Sequence, residues 1–376
     1  MTKRIRTLIV DDSATARDAL KALLDRDPEI DVFATAADPY AAVEIIAREV
    51  PRVIVLDLEM PRMNGLTFLD TIMQQHPIPV VICSAATESS AALVFDALAR
   101  GAVEVVHKPR LTTPQAQDES ALRICEAVRS AASARLLRRR SQAPAARATS
   151  RQPPASLRAT PDRASPKLSA DAVVPPLGRA KPTAARTPVV IAIGASTGGT
   201  EALLRVLQQM PPNCPAIAVV QHMPERFTAH FAQRLDRLCA ISVKEAADGD
   251  ALTPGLALLA PGNLHLLLAR NGRQYHVLVR EGPAVSRHRP AVNVLFRSAA
   301  RCAGSNAIGV IMTGMGDDGA QGLLEMKTAG AWTIAQDEAS CVVFGMPREA
   351  IKLGAVDEIL SLDQIAPALL RRSSLR

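Results

Sequence analysis

Three reactive side chains in the second half of the chain each follow closely after an apolar run. A serine hydroxyl becomes a nucleophile when a neighbouring imidazole accepts its proton and a carboxylate orients that imidazole. The side chains are Ser196, His222 and Asp318, and the runs before them span residues 189–193, 216–220 and 308–312. If the three groups meet in the fold, their types predict a serine hydrolase.

Each of the three apolar runs has the length and composition of a fully buried parallel strand, and a helical pattern follows it. In an open parallel sheet, ligands bind in the crevice beyond the carboxyl ends of the strands, so the three loops can converge there. We therefore predict an α/β fold with a doubly wound, Rossmann-like parallel sheet. Residues 264–280 alternate around Asn271-Gly272 and predict a β-hairpin added to this sheet.

The glycines around Ser196 leave more than one interpretation open. Residues 194–198 fit the GxSxG formula of a nucleophile elbow, but the chain order Ser, His, Asp differs from that of α/β-hydrolases. A glycine-rich loop after a strand also suits a nucleotide-binding module, although the acidic residue expected about 20 residues later is replaced by Gln221-His222. Taken singly, His222 could be a histidine at a strand end, and Asp318 or Asp317 could cap a helix before Ala320.

The first part of the chain alternates between strand-like and helical patterns. Five strand-like runs within about 120 residues predict a flavodoxin-like domain with a five-stranded parallel sheet. The runs span residues 7–10, 32–36, 53–56, 80–83 and 103–106. A fold of this class would again gather at one edge the side chains that follow its strands.

Polar side chains stand at or just after four of these strand ends. Three carboxylates suit Mg²⁺, which prefers oxygen ligands, and the other two groups could neutralise a phosphoryl group on Asp57. The carboxylates are Asp11, Asp12 and Asp57, and the other two groups are Ser84 and Lys108. Two simpler interpretations remain, because Asp11 and Asp12 could cap a helix at Ala14 and Lys108 could be a surface charge. Together the five residues predict an aspartyl-phosphate site.

A basic segment separates the two halves. Between residues 135 and 187 there are twelve Lys or Arg against two Asp, so its net charge of +10 exceeds the +7 of the whole chain. The segment is rich in Pro, Ala and Ser and has no aromatic residue, which predicts a disordered linker. We therefore divide the 376 residues into 1–128, a linker at 129–187, and 188–376. A receiver-controlled nucleic-acid regulator remains the alternative function, but without interleaved aromatics no specific nucleic-acid binding is expected.

Composition indicates a soluble protein. Hydrophobic residues make up 48% of the chain and charged residues 22%, and no apolar stretch reaches the roughly 18 residues of a membrane span. No signal-peptide core follows Met1, so a cytoplasmic location without membrane insertion is expected. The six cysteines are scattered without a CxxC pair, which predicts reduced thiols and no zinc site.

Residues 5–128 resemble the response regulator receiver family. The sequence Leu-Asp-Leu-Glu-Met-Pro-Arg-Met-Asn-Gly at 56–65 matches the phosphoacceptor loop of that family. The resemblance implies that Asp57 accepts a phosphoryl group, that Asp11 and Asp12 help to bind Mg²⁺, and that Ser84 and Lys108 respond to the phosphate. Val105 stands where the family often carries an aromatic that moves inward on activation. The phosphorylation signal could therefore reach the second half of the chain by a different movement.

Residues 188–372 resemble the methylesterase domain of the CheB family, a family of chemotaxis protein-glutamate methylesterases. The motifs that carry the resemblance are Gly-Ala-Ser-Thr-Gly-Gly, Gln-His-Met-Pro, Thr-Gly-Met-Gly-x-Asp-Gly and Phe-Gly-Met-Pro. It implies that Ser196 is the nucleophile, His222 the general base and acid, and Asp318 the orienting carboxylate. Thr197 and the Met315 loop would contribute to the oxyanion and substrate site, and Asp317 would be a variable position.

The resemblance also implies substrates and partners. The substrates would be γ-glutamyl methyl esters of methyl-accepting chemoreceptors, with deamidation of receptor glutamines, and a chemotaxis histidine kinase would be the phosphodonor. No metal or organic cofactor is expected in the second half, and we expect a monomer. The basic loop 286–290 would lie near the substrate groove or be a solvated loop. A tethered receiver could cover the crevice until phosphorylation of Asp57 weakens its docking.

Overall fold

The computed structural model describes residues 4–60, 64–85, 88–109, 112–135, 167–176 and 187–374. Two parallel α/β sheets, one in each half of the chain, form the framework. The phosphoacceptor loop is described except for residues 61–63, and the linker prediction for 136–166 and 177–186 lies outside the described residues.

The first half is a five-stranded parallel sheet in the order β2-β1-β3-β4-β5 with helices on its faces. The elements are β1 (Ile5–Val10), α1 (Ala14–Leu24), β2 (Ile30–Ala36), α2 (Pro39–Arg48), β3 (Val53–Leu56), α3 (Gly65–Gln75), β4 (Val80–Ser84), α4 (Glu88–Arg100), β5 (Glu104–His107) and α5 (Pro114–Ser133). Strands β3 and β4 are buried at every position, as expected for a sheet covered on both sides. The predicted flavodoxin-like sheet is confirmed.

The second half is a seven-stranded parallel sheet in the order β15-β14-β13-β6-β7-β10-β8. The strands are β6 (Val190–Ala195), β7 (Ala216–Gln221), β8 (Ser242–Glu245), β10 (Leu256–Leu259), β13 (Ala307–Ile311), β14 (Trp332–Gln336) and β15 (Glu358–Leu360). A separate three-stranded sheet contains β9 (Ala251–Leu252), β11 (His265–Asn271) and β12 (Gln274–Arg280). The predicted parallel sheet and hairpin are both confirmed.

Helices cover both faces of the large sheet, and one of them is almost entirely buried. The helices are α6 (Gly199–Leu207), α7 (Phe227–Leu238), α8 (Val292–Cys302), α9 (Ala320–Thr328), α10 (Met346–Lys352) and α11 (Leu362–Ser374), with a 3₁₀ turn at Gly304–Asn306. Helix α8 buries residues 292–300, among them Arg297, because it lies between the sheet, α9 and the hairpin. Its N-terminus therefore lies inside the protein, where its free N–H groups need acceptors.

Two parts of the predicted linker are structured, which corrects the expectation of disorder for those residues. Helix α5 continues to Ser133, and residues 167–176 contain a 3₁₀ turn at Ala170–Ala172. The buried Arg297 pairs with both Glu325 and Asp171 and donates to the Val174 carbonyl, so it ties this segment to α8. The composition of the segment does not reveal this contact, because Arg297 lies over 120 residues away in the sequence.

In the parts of the chain that the structure describes, no helix combines the length and the hydropathy needed to cross a bilayer. All six cysteines are unpaired, and four of them are buried.

Candidate active site

The loops that carry Ser196, His222 and Asp318 follow three adjacent strands, because β13, β6 and β7 are neighbours in the sheet. Backbone hydrogen bonds hold the first residues of these loops together. The Ser196 N–H donates to the Thr313 carbonyl at 2.9 Å, and the His222 N–H donates to the Ala195 carbonyl at 3.1 Å. The carboxyl ends of three parallel strands thus bring these loops to one edge of the sheet.

His222 and Asp318 are in direct contact. His222 Nε2 lies 2.9 Å from Asp318 Oδ2, and Asp318 is buried. The same carboxylate accepts the N–H groups of Val292 and Asn293 at 2.6 and 3.0 Å. Asp318 therefore satisfies the buried N-terminus of α8 and does not cap α9, whose N-cap is Gly319 at φ 91°.

The surroundings of Asp318 keep it ionised. Burial by itself would raise the pKa of this carboxyl, but the hydrogen bond and charge of His222, the nearby His288 and the Asn293 N–H outweigh burial and hold the pKa below its usual range. An ionised acceptor requires Nε2 of His222 to carry the proton. Nδ1 then keeps the lone pair of the neutral ring, and this buried atom has no hydrogen-bond partner among the described residues.

Ser196 lies in the same cavity as His222. The cavity is lined by Ser196, Thr197, His222 and Met315 together with residues of the first domain. Ser196 is 6% exposed, and its hydroxyl makes no hydrogen bond within the part of the chain that the structure describes. The structure thus joins two of the three expected side chains directly and places the third at the same cavity.

Several backbone N–H groups border this cavity without a hydrogen-bond acceptor among the described residues, and two of them lie in the loops that follow β6 and β13. These two belong to Thr197 and Met315, the two positions that the sequence associates with the oxyanion site. Unpaired N–H groups beside a serine hydroxyl are the donors that a tetrahedral oxyanion requires.

The glycine loop after β6 is packed against protein atoms. A Cβ at Gly199 would lie 2.1 Å from Gln221 Oε1, and a Cβ at Gly198 would lie 2.5 Å from the Val342 side chain. Gly198 also adopts φ 76°, which favours glycine. Because neighbouring side chains fill the space around these glycines, the loop is not an open cradle for a phosphate, and the dinucleotide-binding alternative loses its main feature.

Gln221 and Thr313 position the loops, and the sequence analysis gave neither of them a role. Gln221 Nε2 donates to the carbonyls of Ser196 and His222 at 2.9 and 3.0 Å. The Thr313 hydroxyl donates to the Thr197 carbonyl at 2.9 Å. Both residues lie within motifs that the sequence singled out, but their partners depend on strand order and could not be assigned from local patterns.

Residues of the first domain close one side of the cavity. Thr197 Oγ1 donates to Glu104 Oε2 at 2.6 Å and accepts from Ser130 Oγ at 2.6 Å. Burial raises the pKa of Glu104 to about 7, with the hydrogen bond from Thr197 acting in the opposite direction. Glu126 Oε1 also lies 3.5 Å from His288 Nε2. Three side chains of β5 and α5 thus contact residues that line the cavity.

The predicted phosphoacceptor residues meet at one end of the first sheet. Lys108 Nζ lies 2.7 Å from Asp57 Oδ2 and 2.8 Å from Asp11 Oδ2. Ser84 is buried beside them at the end of β4, and its hydroxyl donates to the Ala85 carbonyl at 3.1 Å. Burial raises the pKa of Asp57, and Lys108 partly offsets this effect.

The carboxylates at this end suit a divalent cation. One oxygen from each of Asp11, Asp12 and Asp57 lies within 4.8 Å of the others, which is an all-oxygen donor set of the kind that Mg²⁺ prefers. His222, His288 and Asp318 also approach one another within 4.8 Å. The imidazole rings of His222 and His288 are stacked face to face, however, so the lone pairs in the two ring planes do not converge on one point.

Comparisons with known proteins agree with this division of the chain. Residues 191–369 match the family model for the CheB methylesterase, and residues 7–114 match that for the response regulator receiver domain. The chain is 54% identical over 371 residues to a protein-glutamate methylesterase/protein-glutamine glutaminase of Oleidesulfovibrio alaskensis, covering 99% of each chain.

A second relative is similar over nearly the whole chain, and one solved structure matches half of it. A protein of the same name from Anaeromyxobacter dehalogenans is 58% identical over 369 residues, which cover 98% of this chain and 96% of that protein. The crystal structure of the Thermotoga maritima CheB methylesterase catalytic domain is 38% identical, with a TM-score of 0.48, and covers 50% of this chain and 100% of that one.

Proposed function

We propose, because the chain belongs to the CheB methylesterase family and carries a response regulator receiver domain, that it hydrolyses γ-glutamyl methyl esters of methyl-accepting chemoreceptors. The relatives are also named glutaminases, so deamidation of receptor glutamines is part of the proposal. The protein would act in the cytoplasm on the helical region of the receptors. The observation that carries the proposal is the His222–Asp318 pair at the cavity that contains Ser196.

Ser196 would attack the ester carbonyl. Its proton moves to His222 Nδ1 while the bond from Oγ to the carbonyl carbon forms, and the imidazolium is stabilised by Asp318. The bond to the methoxy oxygen then breaks, and the leaving group takes the proton from His222 and departs as methanol. Water repeats the sequence on the acyl-enzyme, with His222 again accepting and returning a proton, and releases the glutamate carboxylate. With a glutamine substrate the leaving group is ammonia.

The N–H groups of Thr197 and Met315 would stabilise the oxyanion. Both are unpaired among the described residues and both residues line the cavity, so they offer donors to negative charge on the carbonyl oxygen. Removal of one such donor from an enzyme of this kind costs about 100- to 1000-fold in kcat.

Asp57 would control access to this site. A chemotaxis histidine kinase would be the phosphodonor, with Asp11, Asp12 and Asp57 holding Mg²⁺ and Ser84 and Lys108 responding to the phosphoryl group. The metal would supply positive charge that neutralises the phosphoryl oxygens. The contacts from Glu104 and Ser130 to Thr197 support a model in which the unphosphorylated receiver blocks the cavity.

The test is methanol release from methylated receptor combined with covalent labelling. We expect Ser196→Ala to abolish methanol release from the full chain in the presence of acetyl phosphate and Mg²⁺ while the protein remains folded. A fluorophosphonate should label the unsubstituted protein at Ser196 alone, as shown by peptide mapping. Methanol release that persists in the Ser196→Ala variant would remove this residue from its role.

A further inference from the structure

The ring of His288 lies flat against the ring of His222. The two ring centroids are 3.7 Å apart and the planes are tilted by only 7°. His288 belongs to the loop between β12 and α8, so it does not come from any of the three loops that carry Ser196, His222 and Asp318. A fourth loop therefore contacts the imidazole on which the proposed reaction depends.

This loop adopts an unfavourable backbone conformation. Ser286 and Arg287 have φ values of 51° and 70°, in the left-handed region that residues with side chains avoid. Such residues persist only where the surroundings hold them, and they concentrate at functional sites. The surroundings of Ser286 and Arg287 must therefore hold this loop in its conformation.

Several hydrogen bonds hold the loop in place. Val285 and His288 exchange both of their backbone hydrogen bonds, at 3.0 and 2.8 Å. Asn293 Nδ2 donates to Ser286 Oγ at 3.0 Å, and the backbone N–H of the same asparagine, in the first turn of α8, donates to Asp318. Ser286 N–H donates to the Leu168 carbonyl at 2.9 Å, which joins the loop to the segment 167–176. These contacts leave His288 little freedom to move.

The hydrogen bonds of His288 define its protonation. Its Nδ1 lies 2.8 Å from the Ser286 carbonyl and therefore donates, which leaves Nε2 without a proton in the neutral ring. Burial and the neighbouring His222 lower the pKa of His288, and Glu126, Asp318 and the Ser286 carbonyl oppose this effect. At neutral pH the His288 ring is thus uncharged, so it does not repel the stacked His222 ring when His222 gains a proton.

We infer that His288 is a positioning residue that fixes the plane of the His222 ring. The hydrogen bond from Nε2 to Asp318 defines a line about which the imidazole can still rotate, whereas the flat contact with His288 restricts that rotation. Nδ1 then keeps one orientation within the site, beside the cavity that His222 and Ser196 both line. This inference rests on the proposed role of His222 and gives His288, which the sequence places only in the basic loop 286–290, a role of its own.

The experiment compares three variants of the full chain with acetyl phosphate and Mg²⁺ present. His288→Ala should lower kcat for methanol release by roughly 10- to 100-fold with KM changed less than threefold, because orientation and not substrate binding is lost. His288→Phe keeps a flat ring and should recover most of that loss. His276→Ala, which removes an imidazole from β12 in the separate three-stranded sheet, should leave kcat unchanged.

Labelling by a fluorophosphonate provides a second readout that does not depend on the receptor. The rate of Ser196 modification should fall in His288→Ala and recover in His288→Phe. An unchanged labelling rate in His288→Ala would overturn the inference, as would a defect that His288→Phe leaves uncorrected. If the unsubstituted protein is labelled at Ser196 but releases no methanol, the proposed substrate is wrong, and the labelling rates still decide the role of His288.

Discussion

At the residue scale, Asp318 combines a structural role with the chemical role that we propose for it. It accepts two backbone N–H groups at the buried N-terminus of α8 and, through the same carboxylate, the Nε2–H of His222. The helix terminus favours negative charge, so the structure that orients the proposed base His222 also keeps Asp318 ionised. Its neighbour Asp317 is partly exposed and pairs with Lys167. Two adjacent aspartates in one motif thus have different roles.

Asp318→Asn should lower kcat by about 1,000- to 10,000-fold, because a neutral amide can favour the wrong tautomer of His222. The same change weakens the contacts at the α8 N-terminus, and we expect the free energy of unfolding to fall by roughly 1 kcal/mol. Methanol release and urea denaturation measure the two effects. Asp317→Asn is the matched control and should retain both activity and stability; equal losses in the two variants would contradict the assignment.

At the element scale, the turn from β6 into α6 places Ser196 because its glycines let other elements approach. Gly198 and Gly199 pack against Val342 and Gln221, and Gln221 in turn donates to the carbonyls of Ser196 and His222. The ends of β6 and β7 are therefore held together by an amide side chain. Close packing at this turn is a condition for bringing the serine and the histidine to the same cavity.

Gly199→Ala tests this packing. Its new methyl group would lie 2.1 Å from Gln221 Oε1 and 2.8 Å from Ala195 Cβ, so the turn must shift. We expect a loss of roughly 1 to 3 kcal/mol in stability, the usual range for overpacking, and a large loss of methanol release. Gly272→Ala, where the methyl group meets no atom within 4 Å but φ is 59°, carries backbone strain alone. It should keep full activity, and a Gly199→Ala protein that is equally active would show that the turn tolerates displacement.

At the scale of the whole molecule, the two domains contact each other beside the cavity. Phe95 stacks on Phe231 with centroids 5.6 Å apart, and the Arg135 N–H donates to the Val342 carbonyl at 2.9 Å. Glu104 contacts the lining of the cavity through its hydrogen bond with Thr197. Val105, where the receiver family often carries an aromatic, is buried and lines the cavity, and Glu104 and His107 of the same strand make interdomain contacts.

The pH dependence of docking follows from Glu104. Burial raises its pKa from 4.5 to about 7 in the docked form, so docking favours the protonated carboxyl. The contribution of the protonated Glu104 carboxyl to docking is fully present below about pH 4.5 and is lost as pH rises through about 7. Its total is roughly 3 kcal/mol. Without phosphodonor, methanol release should therefore rise between pH 6.5 and 8 relative to the enzyme with acetyl phosphate. The lowered pKa of His288 makes its own titration fall below this window.

Glu104→Gln supplies the control for that titration. A neutral amide should hold the receiver in place at pH 8, so the ratio of activated to basal methanol release should become independent of pH. Glu338→Gln removes an exposed carboxylate that pairs with Arg135 at the same domain contact and should behave like the unsubstituted protein. If the ratio of activated to basal methanol release is already independent of pH in the unsubstituted chain, this result would contradict the role of Glu104.

The sequence by itself determined the two sheets and the residues that end their strands. Apolar runs report local burial, so Ser196, His222, Asp57 and Lys108 could be placed at strand ends without knowing the strand order. Tertiary structure decided the contacts between distant loops: that Asp318 binds the terminus of α8, that His288 stacks on His222, that Glu104 contacts Thr197, and that Arg297 anchors part of the linker. These pairs are separated by 25 to 126 residues, and no local periodicity records which of them meet.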